Sequence, residues 1–448
     1  MAASKPIKPV TAYGFHGMNN LPDRPANLFD KNRLITPHLI VNAEVMDGGV
    51  ILPRGGFRTV QSLTGLHSLA GEERGLSIML GVAQGVLYQL EGAWAGAIGE
   101  IPGPRTQMTY VQIDNTVYLS NLYWNGSLDL ATMTLQSWGV TLPPAPTINF
   151  TSGSLPPGKY LLCYTRLDNG RMSGAGAVAA VNWQGQSQGL VLTNLEDGLV
   201  AWITHPNGDA FFLASVNSLD VITAQAPTFK PLTGMNIIPP PPFAHFGFGH
   251  GRIWGVRGKD LYYSEVNELG QWGWFSRKVF HFLEELVMVI PVNEGVFVSS
   301  ATSTWFLVGG DPAKMTYHRI GDGAIPGTYV SGAQVPGAMT ALDGLLRPKG
   351  PRMPLPVWMN ATGFITGTQG GTLSHMTVDR LRINPRSQGA GFYHIKNGVP
   401  KILISLSGPA TGDIDEELQG VSVRGRLCIP APLEVIGSGG ITLGFEGD

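Results

Sequence analysis

The chain has 448 residues, enough for about three ordinary domains or one large all-β body carrying an insertion. Its 30 basic and 32 acidic residues leave a net charge of −2, which argues against a nucleic-acid or membrane-surface binder. The 60 glycines and 33 prolines disfavour helical bundles, since each costs a helix interior about 1 or 3 kcal/mol, while 43% apolar content still supplies a core.

Charged residues amount to only 14%, where soluble domains carry about 25%. A surface this poor in charge predicts that part of it is covered by partners in an assembly, unless Ser, Thr, Asn and Gln do the solvating.

In chain order, residues 1–40 read as an extended arm, with Pro22, Pro25 and Pro37 among Asn19, Asn20 and Asn27. Met1 to Pro9 contains no apolar signal core, so synthesis in a cytoplasm is expected. No membrane span is expected either: the longest apolar run, Leu286 to Val292, is interrupted by Pro291.

From Val50 one pattern recurs: an apolar strand, a turn with Gly, Asn or Asp, then a strand carrying an aromatic. The instances are 78–90, 110–119, 252–264, 295–308, 357–373 and 391–404, each predicted to be a β-hairpin. Val86, Tyr88 and Leu90 are expected to share a face, and Trp305 to Val308 to be apolar on both faces. Hairpins repeated in this way predict sheets arranged around an axis, a β-propeller, with two sandwiches or an irregular barrel as the competing architecture.

Residues 143–150 and Pro239 to Phe243 read as linkers. Between them, strands are predicted at Tyr160–Leu167, Ala177–Asn182, Leu190–Leu195, Leu199–Thr204 and Ala210–Val216. That 8–12-residue spacing suits a small antiparallel sandwich of immunoglobulin or fibronectin type. The expected organisation is therefore an arm (1–40), a first part of the propeller (41–143), an inserted sandwich (144–238) and the rest of the propeller (239–448). A Gly/Pro-rich segment at 321–356 is either a projecting loop or a plain connection.

Catalytic and cofactor motifs are wanting. Gly158-Lys159 and Gly258-Lys259 lack the Ser/Thr of a phosphate loop, and Gly174 to Ala179 matches Gly-x-Gly-x-x-Ala without a following helix. His245 and His250, five apart on a strand, would point to opposite faces and do not form a ligand pair. Cys163 and Cys428 have neither zinc spacing nor a disulfide framework, and Cys163 is expected to be buried. Asp413 to Glu417 reads as a solvated loop, lacking the glycine turn of a Ca²⁺ site. Ser299 to Trp305 only brushes the Asp-box pattern of propeller glycosidases. Tyr123-Trp124 and Trp272-Gly-Trp274 could stack on sugars, although sheet-face packing is the simpler role. No catalytic, cofactor-binding or metal-binding residue is assigned, and a carbohydrate-binding or carbohydrate-cleaving propeller is the alternative.

The stretch Gly251 to Glu265, with its Leu261-Tyr-Tyr-Ser264 strand, resembles a blade of the tail nozzle (head/tail stabilisation) proteins of short-tailed bacteriophages. Asn42-Ala-Glu44 through Pro53 to Arg58 resembles that family's opening strand, and Gly65 to Leu69 its first blade. Tyr164-Thr165 through Asp168-Asn-Gly170, with Pro206-Asn-Gly208, is similar to its inserted immunoglobulin-like module, and Gly363 to Gly371 to a late blade. The resemblance implies a non-enzymatic virion protein forming a homo-oligomeric ring, expected to be a hexamer. Such a ring would lie below the portal and adaptor proteins, anchor tail fibres or spikes, and pass DNA without gripping it. A near-neutral wall without Lys/Arg stripes is compatible with that conduit.

Overall fold

The computed structural model describes residues 58–330 with breaks at 72–74, 92–93, 169, 218, 227, 229–230, 268 and 271–278. It also describes 355–375, 388–407 without 397–398, and the strands Gly14–Phe15, Leu34–Ile35, Ala43–Val45, Ile51–Pro53 and Gly440–Phe445. Among these residues all regular structure is β-strand.

Four sheets have four antiparallel strands each, laid side by side in chain order. Sheet I comprises His67–Ala70, Met79–Ala83, Val86–Glu91 and Trp94–Glu100; sheet II, Thr109–Ile113, Thr116–Ser120, Asn125–Asp129 and Thr134–Ser137. Sheet III comprises His245–Gly249, Arg252–Arg257, Asp260–Tyr263 and Val279–His281; sheet IV, Leu286–Val292, Gly295–Ser300, Ser303–Val308 and Thr316–Asp322. Sheet V has three strands, Val357–Asn360, Gly363–Gly367 and Leu373–His375. The hairpin Gln388–Lys396 with Val399–Ser407 follows, and Arg58–Thr64 pairs antiparallel with Gly440–Phe445, bringing distant parts of the chain together. All six hairpins expected from the sequence are present.

A shared side-chain device runs through sheets I to IV. In each, a valine of the second strand stands directly opposite a leucine of the third: Val82 and Leu87, Val117 and Leu128, Val256 and Leu261, Val296 and Leu307. All four leucines are completely buried. Burying one such side chain is worth about 1.5–3 kcal/mol, and a β-branched residue opposite it suits the pleated surface.

These pairs face neighbouring sheets. Val82 and Leu87 share a core with Val117 and Leu128, joining sheets I and II. Trp138, at the end of sheet II, packs on Phe243, Phe246 and Ile253 of the sheet III region, and its indole N–H donates to the Leu269 carbonyl at 3.0 Å. Val256, Leu261, Val296 and Leu307 join sheets III and IV, while Phe297, Phe306, Trp358 and Ile365 join IV and V. Met359 and Ile404 bring the 388–407 hairpin against sheet V, and Leu63 packs on the outer face of sheet I. The sheets thus pack face to face in chain order, a propeller-like arrangement. Close approach of first strands needs glycine: a Cβ at Gly247 or Gly249 would meet Pro291 of sheet IV at 2.8 or 2.3 Å.

Between sheets II and III the chain forms a second body. A three-stranded sheet, ordered Ile148–Leu155, Gln188–Leu192 and Val221–Ile222, faces a sheet built on the long strand Gly158–Asp168. Leu155, Leu190, Leu192 and Ile222 of the first meet Tyr160, Leu162, Tyr164, Ala201 and Ile203 of the second in one core. Its two connections to the sheets run beside each other. The segment Ser173 to Val178 touches both: a Cβ at Gly174 would lie 1.7 Å from the Ile237 carbonyl oxygen, and one at Gly176 2.2 Å from that of Pro143. The Arg171 guanidinium donates to Gln136 of sheet II at 3.2 Å.

Several sequence expectations need correction. The linker read at 143–150 ends early, because Ile148–Leu155 is a strand; the prolines before it mask an apolar start. Val221–Ile222 was too short to signal itself. Phe243, read as linker, is fully buried. Val308 is 45% exposed, so the strand Trp305 to Val308 is not buried throughout. In Val86–Glu91, Tyr88 and Leu90 pack together on one side as expected, while Leu87 is buried on the other, so both faces of sheet I are covered. Of the segment 321–356, residues 331–354 lie outside the described residues. Ala324, Ile325, Thr328 and Val330 are buried, and Val330 bridges Val357, so this part is packed rather than projecting. Apart from Gly14–Phe15 and Leu34–Ile35, the arm 1–40 also lies outside the described residues.

Two outcomes follow. Leu261→Ala should lower stability by about 2–5 kcal/mol, read from the urea midpoint, because the cavity opens between two sheets that cannot collapse onto it. Gly174→Ala should increase cleavage at 143–147 and 232–240 in limited proteolysis, since the new methyl group pushes the connections off their seat.

Candidate interaction surfaces

The motifs weighed for chemistry resolve into structural roles. Gly174 to Ala179 has no helix after it and serves as the seat of the two connections. His245 is on the first strand of sheet III, with its Nδ1 3.3 Å from the Tyr329 hydroxyl. His250 is not on that strand but in the following turn, at φ 57°, with its Nε2 3.1 Å from the Asn293 carbonyl. Cys163 is fully buried, and burial pushes its thiol up to about 12, which removes the thiolate a nucleophile needs. Asp413 to Glu417, Cys428, Trp272 and Trp274 lie outside the described residues. Among the described residues, no three His, Cys, Asp or Glu side chains converge as a metal site.

The sugar-stacking candidate at sheet II divides into two roles. Tyr123 is 53% exposed, but Trp124 packs against the core between sheets I and II, and its ring covers Gly126, where a Cβ would meet it at 2.4 Å. Both loop amides, of Tyr123 and Trp124, donate to the Asn121 side-chain oxygen at 2.9 and 2.7 Å, so this turn is set by the Asn121 side chain.

The segment Ser299 to Trp305 carries a hydroxyl cluster rather than an Asp box. Ser300, Thr302 and Ser303 hydroxyls all donate to the Glu284 carboxylate, the last at 3.3 Å. Ser300 Oγ in turn accepts from the amides of Thr302 and Ser303 at 3.1 and 2.9 Å. The Ser300 and Thr302 hydroxyls hold the Glu284 carboxyl below its ordinary value. This ties the chain entering sheet IV to the turn between its second and third strands, a structural clamp.

The outer side of sheets III and IV presents a different surface. Leu283, between them, is 90% exposed, and Tyr317 on the last strand of sheet IV is 46% exposed. Phe282 links the two: its ring centroid lies 5.0 Å from that of Tyr317 and 5.1 Å from that of Trp305. Thr316, Tyr317, His318 and Arg319 form an exposed run on this terminal strand. The sequence signals this surface weakly, through an apolar Phe282-Leu283 next to Glu284-Glu285. Among the described residues no helix is long and apolar enough to cross a membrane.

No protein-family model matches the chain, and no curated protein matches it. Among solved structures, BBS1N in complex with ARL6DN is 9% identical, with 79% of this chain and 96% of that chain covered and a TM-score of 0.28. PorZ, a surface component of the type-IX secretion system of Porphyromonas gingivalis, is 9% identical, with 78% and 44% covered and a TM-score of 0.22. The AfRom2 CNH domain is 7% identical, with 69% and 97% covered and a TM-score of 0.19. At such scores these likenesses carry no argument, and the propeller-like description stands on the packing of the sheets themselves.

The Glu284 clamp has a definite pH signature. A carboxyl held low in the folded state stabilises the fold above its ordinary value, near 4.5, and that contribution is lost as pH falls through the folded value. Between about pH 5 and pH 3, stability of the parent should therefore decline more steeply than that of Glu284→Gln, measured by urea unfolding at each pH.

Proposed function

We propose that the chain is a structural virion protein, the tail nozzle of a short-tailed bacteriophage. Copies assemble into a homo-oligomeric ring, expected to be a hexamer, below the portal and adaptor, and DNA is retained in and ejected through it. The body at 144–238 is an immunoglobulin-like sandwich that anchors fibres or spikes, and the protein is not an enzyme.

The observation that supports this most is the route of the chain between sheets II and III. Sheet II ends at Trp138, sheet III packs directly on it through Phe246 and Ile253, and the intervening body leaves and returns by neighbouring connections. That is the spliced arrangement the sequence resemblance implies. Scarce charge adds a second support, since a wall with few basic groups releases few counterions from passing DNA and holds it weakly.

Purified protein, alone and mixed with the adaptor of its phage, should give rings in negative stain and a multiple of the 47.9 kDa chain mass in light scattering. Dispersed monomers in both samples would overturn the reading.

A further inference from the structure

The outer edge of sheet IV is a terminal strand with an exposed run of side chains. Thr316–Asp322 is the last strand of its sheet, so its outward N–H and C=O groups face away from the Ser303–Val308 neighbour. Long exposed edges of this kind are usually blunted by lysine, proline or a bulge. The strand has no lysine or proline, and its Tyr317 packs on Phe282, the residue before Leu283, which is the most exposed large apolar side chain of the described residues. The buried Phe282 ring lies 5.0 Å from that of Tyr317, and the exposed Leu283 is the next residue in the chain. The strand carries one bulge, at Ile320 between Arg319 and Gly321, while Thr316 to Arg319 pair regularly with Val308 to Trp305.

A counter-surface exists on the same chain. The last strand of sheet I, Trp94–Glu100, is also terminal in its sheet. Its middle is small, with Ala95, Gly96 and Ala97, and an exposed glutamate stands at each side, Glu91 on the neighbouring strand and Glu100 at the end. The sheet IV edge carries His318 and Arg319, both exposed. Small residues leave room for Leu283 and Tyr317, and Arg319, which at 3.8 Å also pairs with the exposed Asp322 of its own strand, is opposite in charge to the two glutamates. Sheets II and III separate the two edges, so they cannot meet within one copy, and a contact between them is head-to-tail. Such contacts generate rings when their rotation closes.

We propose that the sheet IV edge of one copy docks on the sheet I edge of a second copy, adding strand to strand with Leu283 and Tyr317 as the apolar anchor. The proposal rests on the ring reading above and assigns the surfaces that make it.

Light scattering on the full chain and on three variants tests it. Leu283→Asp should convert rings to monomers while circular dichroism and the urea midpoint stay within those of the parent, because the side chain is exposed. Arg319→Glu and Glu100→Arg should each weaken assembly by about tenfold or more in concentration, and the double reversal should restore it. Rings that persist in Leu283→Asp would overturn the interface and leave the ring reading standing. Failure of the double reversal to restore assembly would overturn sheet I as the counter-surface. A parent chain that is monomeric with and without the adaptor would overturn both.

Discussion

A β-sheet with apolar residues on both faces cannot stand alone in water; something must cover each side. That constraint governs this molecule. Sheet I shows it in miniature: Leu87 looks towards sheet II, while Leu90 and Ala83 look the other way, towards Leu66 and the Leu63 side chain. Each sheet therefore requires a neighbour, that neighbour requires the next, and the packing runs unbroken from Leu63 to the 388–407 hairpin. The low charge of the chain is the compositional shadow of this arrangement, because surface that would carry charge in a sandwich is here pressed against another sheet.

The body inserted between sheets II and III obeys a different rule. Two sheets cover one another, each with one inner and one outer face, so along Phe150 to Leu155 exposed positions alternate with covered ones, ending at the buried Leu155. It has its own core, and what joins it to the sheets is backbone lying on backbone at Gly174 and Gly176, together with the Arg171–Gln136 hydrogen bond. The returning connection adds an apolar patch, Leu232 and Met235 against Cys163, Ala175, Trp202 and Phe211.

Much of this was legible in the sequence, for physical reasons. Hairpins declare themselves through short-range information: a Gly or Asn at a turn and β-branched residues on either side, as in Val82 to Leu87 and Val256 to Leu261. Phase within a strand is harder. When both faces are covered, alternation of burial disappears: Leu87 is buried on one side of its strand and Leu90 on the other. Strands beside prolines, such as Ile148–Leu155, were hidden by their neighbours, and a two-residue pairing such as Val221–Ile222 has no periodicity to detect. The exposed surface at Leu283 and Tyr317 depends on which strand ends up outermost, a property of topology rather than of any window of residues. His250 illustrates the same limit: five positions from His245 gave a geometry on paper, but a turn intervenes and removes the premise.

Because the chain departs after Trp138 and rejoins near Phe243 at almost the same place, the excursion is, for the surrounding sheets, a closed detour. The entropy of closing a detour grows only slowly with its length, by about 0.6 kcal/mol per doubling. A larger body, a smaller one or a differently shaped one could occupy that junction at little expense to the sheets' own stability, so the appendage is free to diversify in evolution while the scaffold beneath it stays constant.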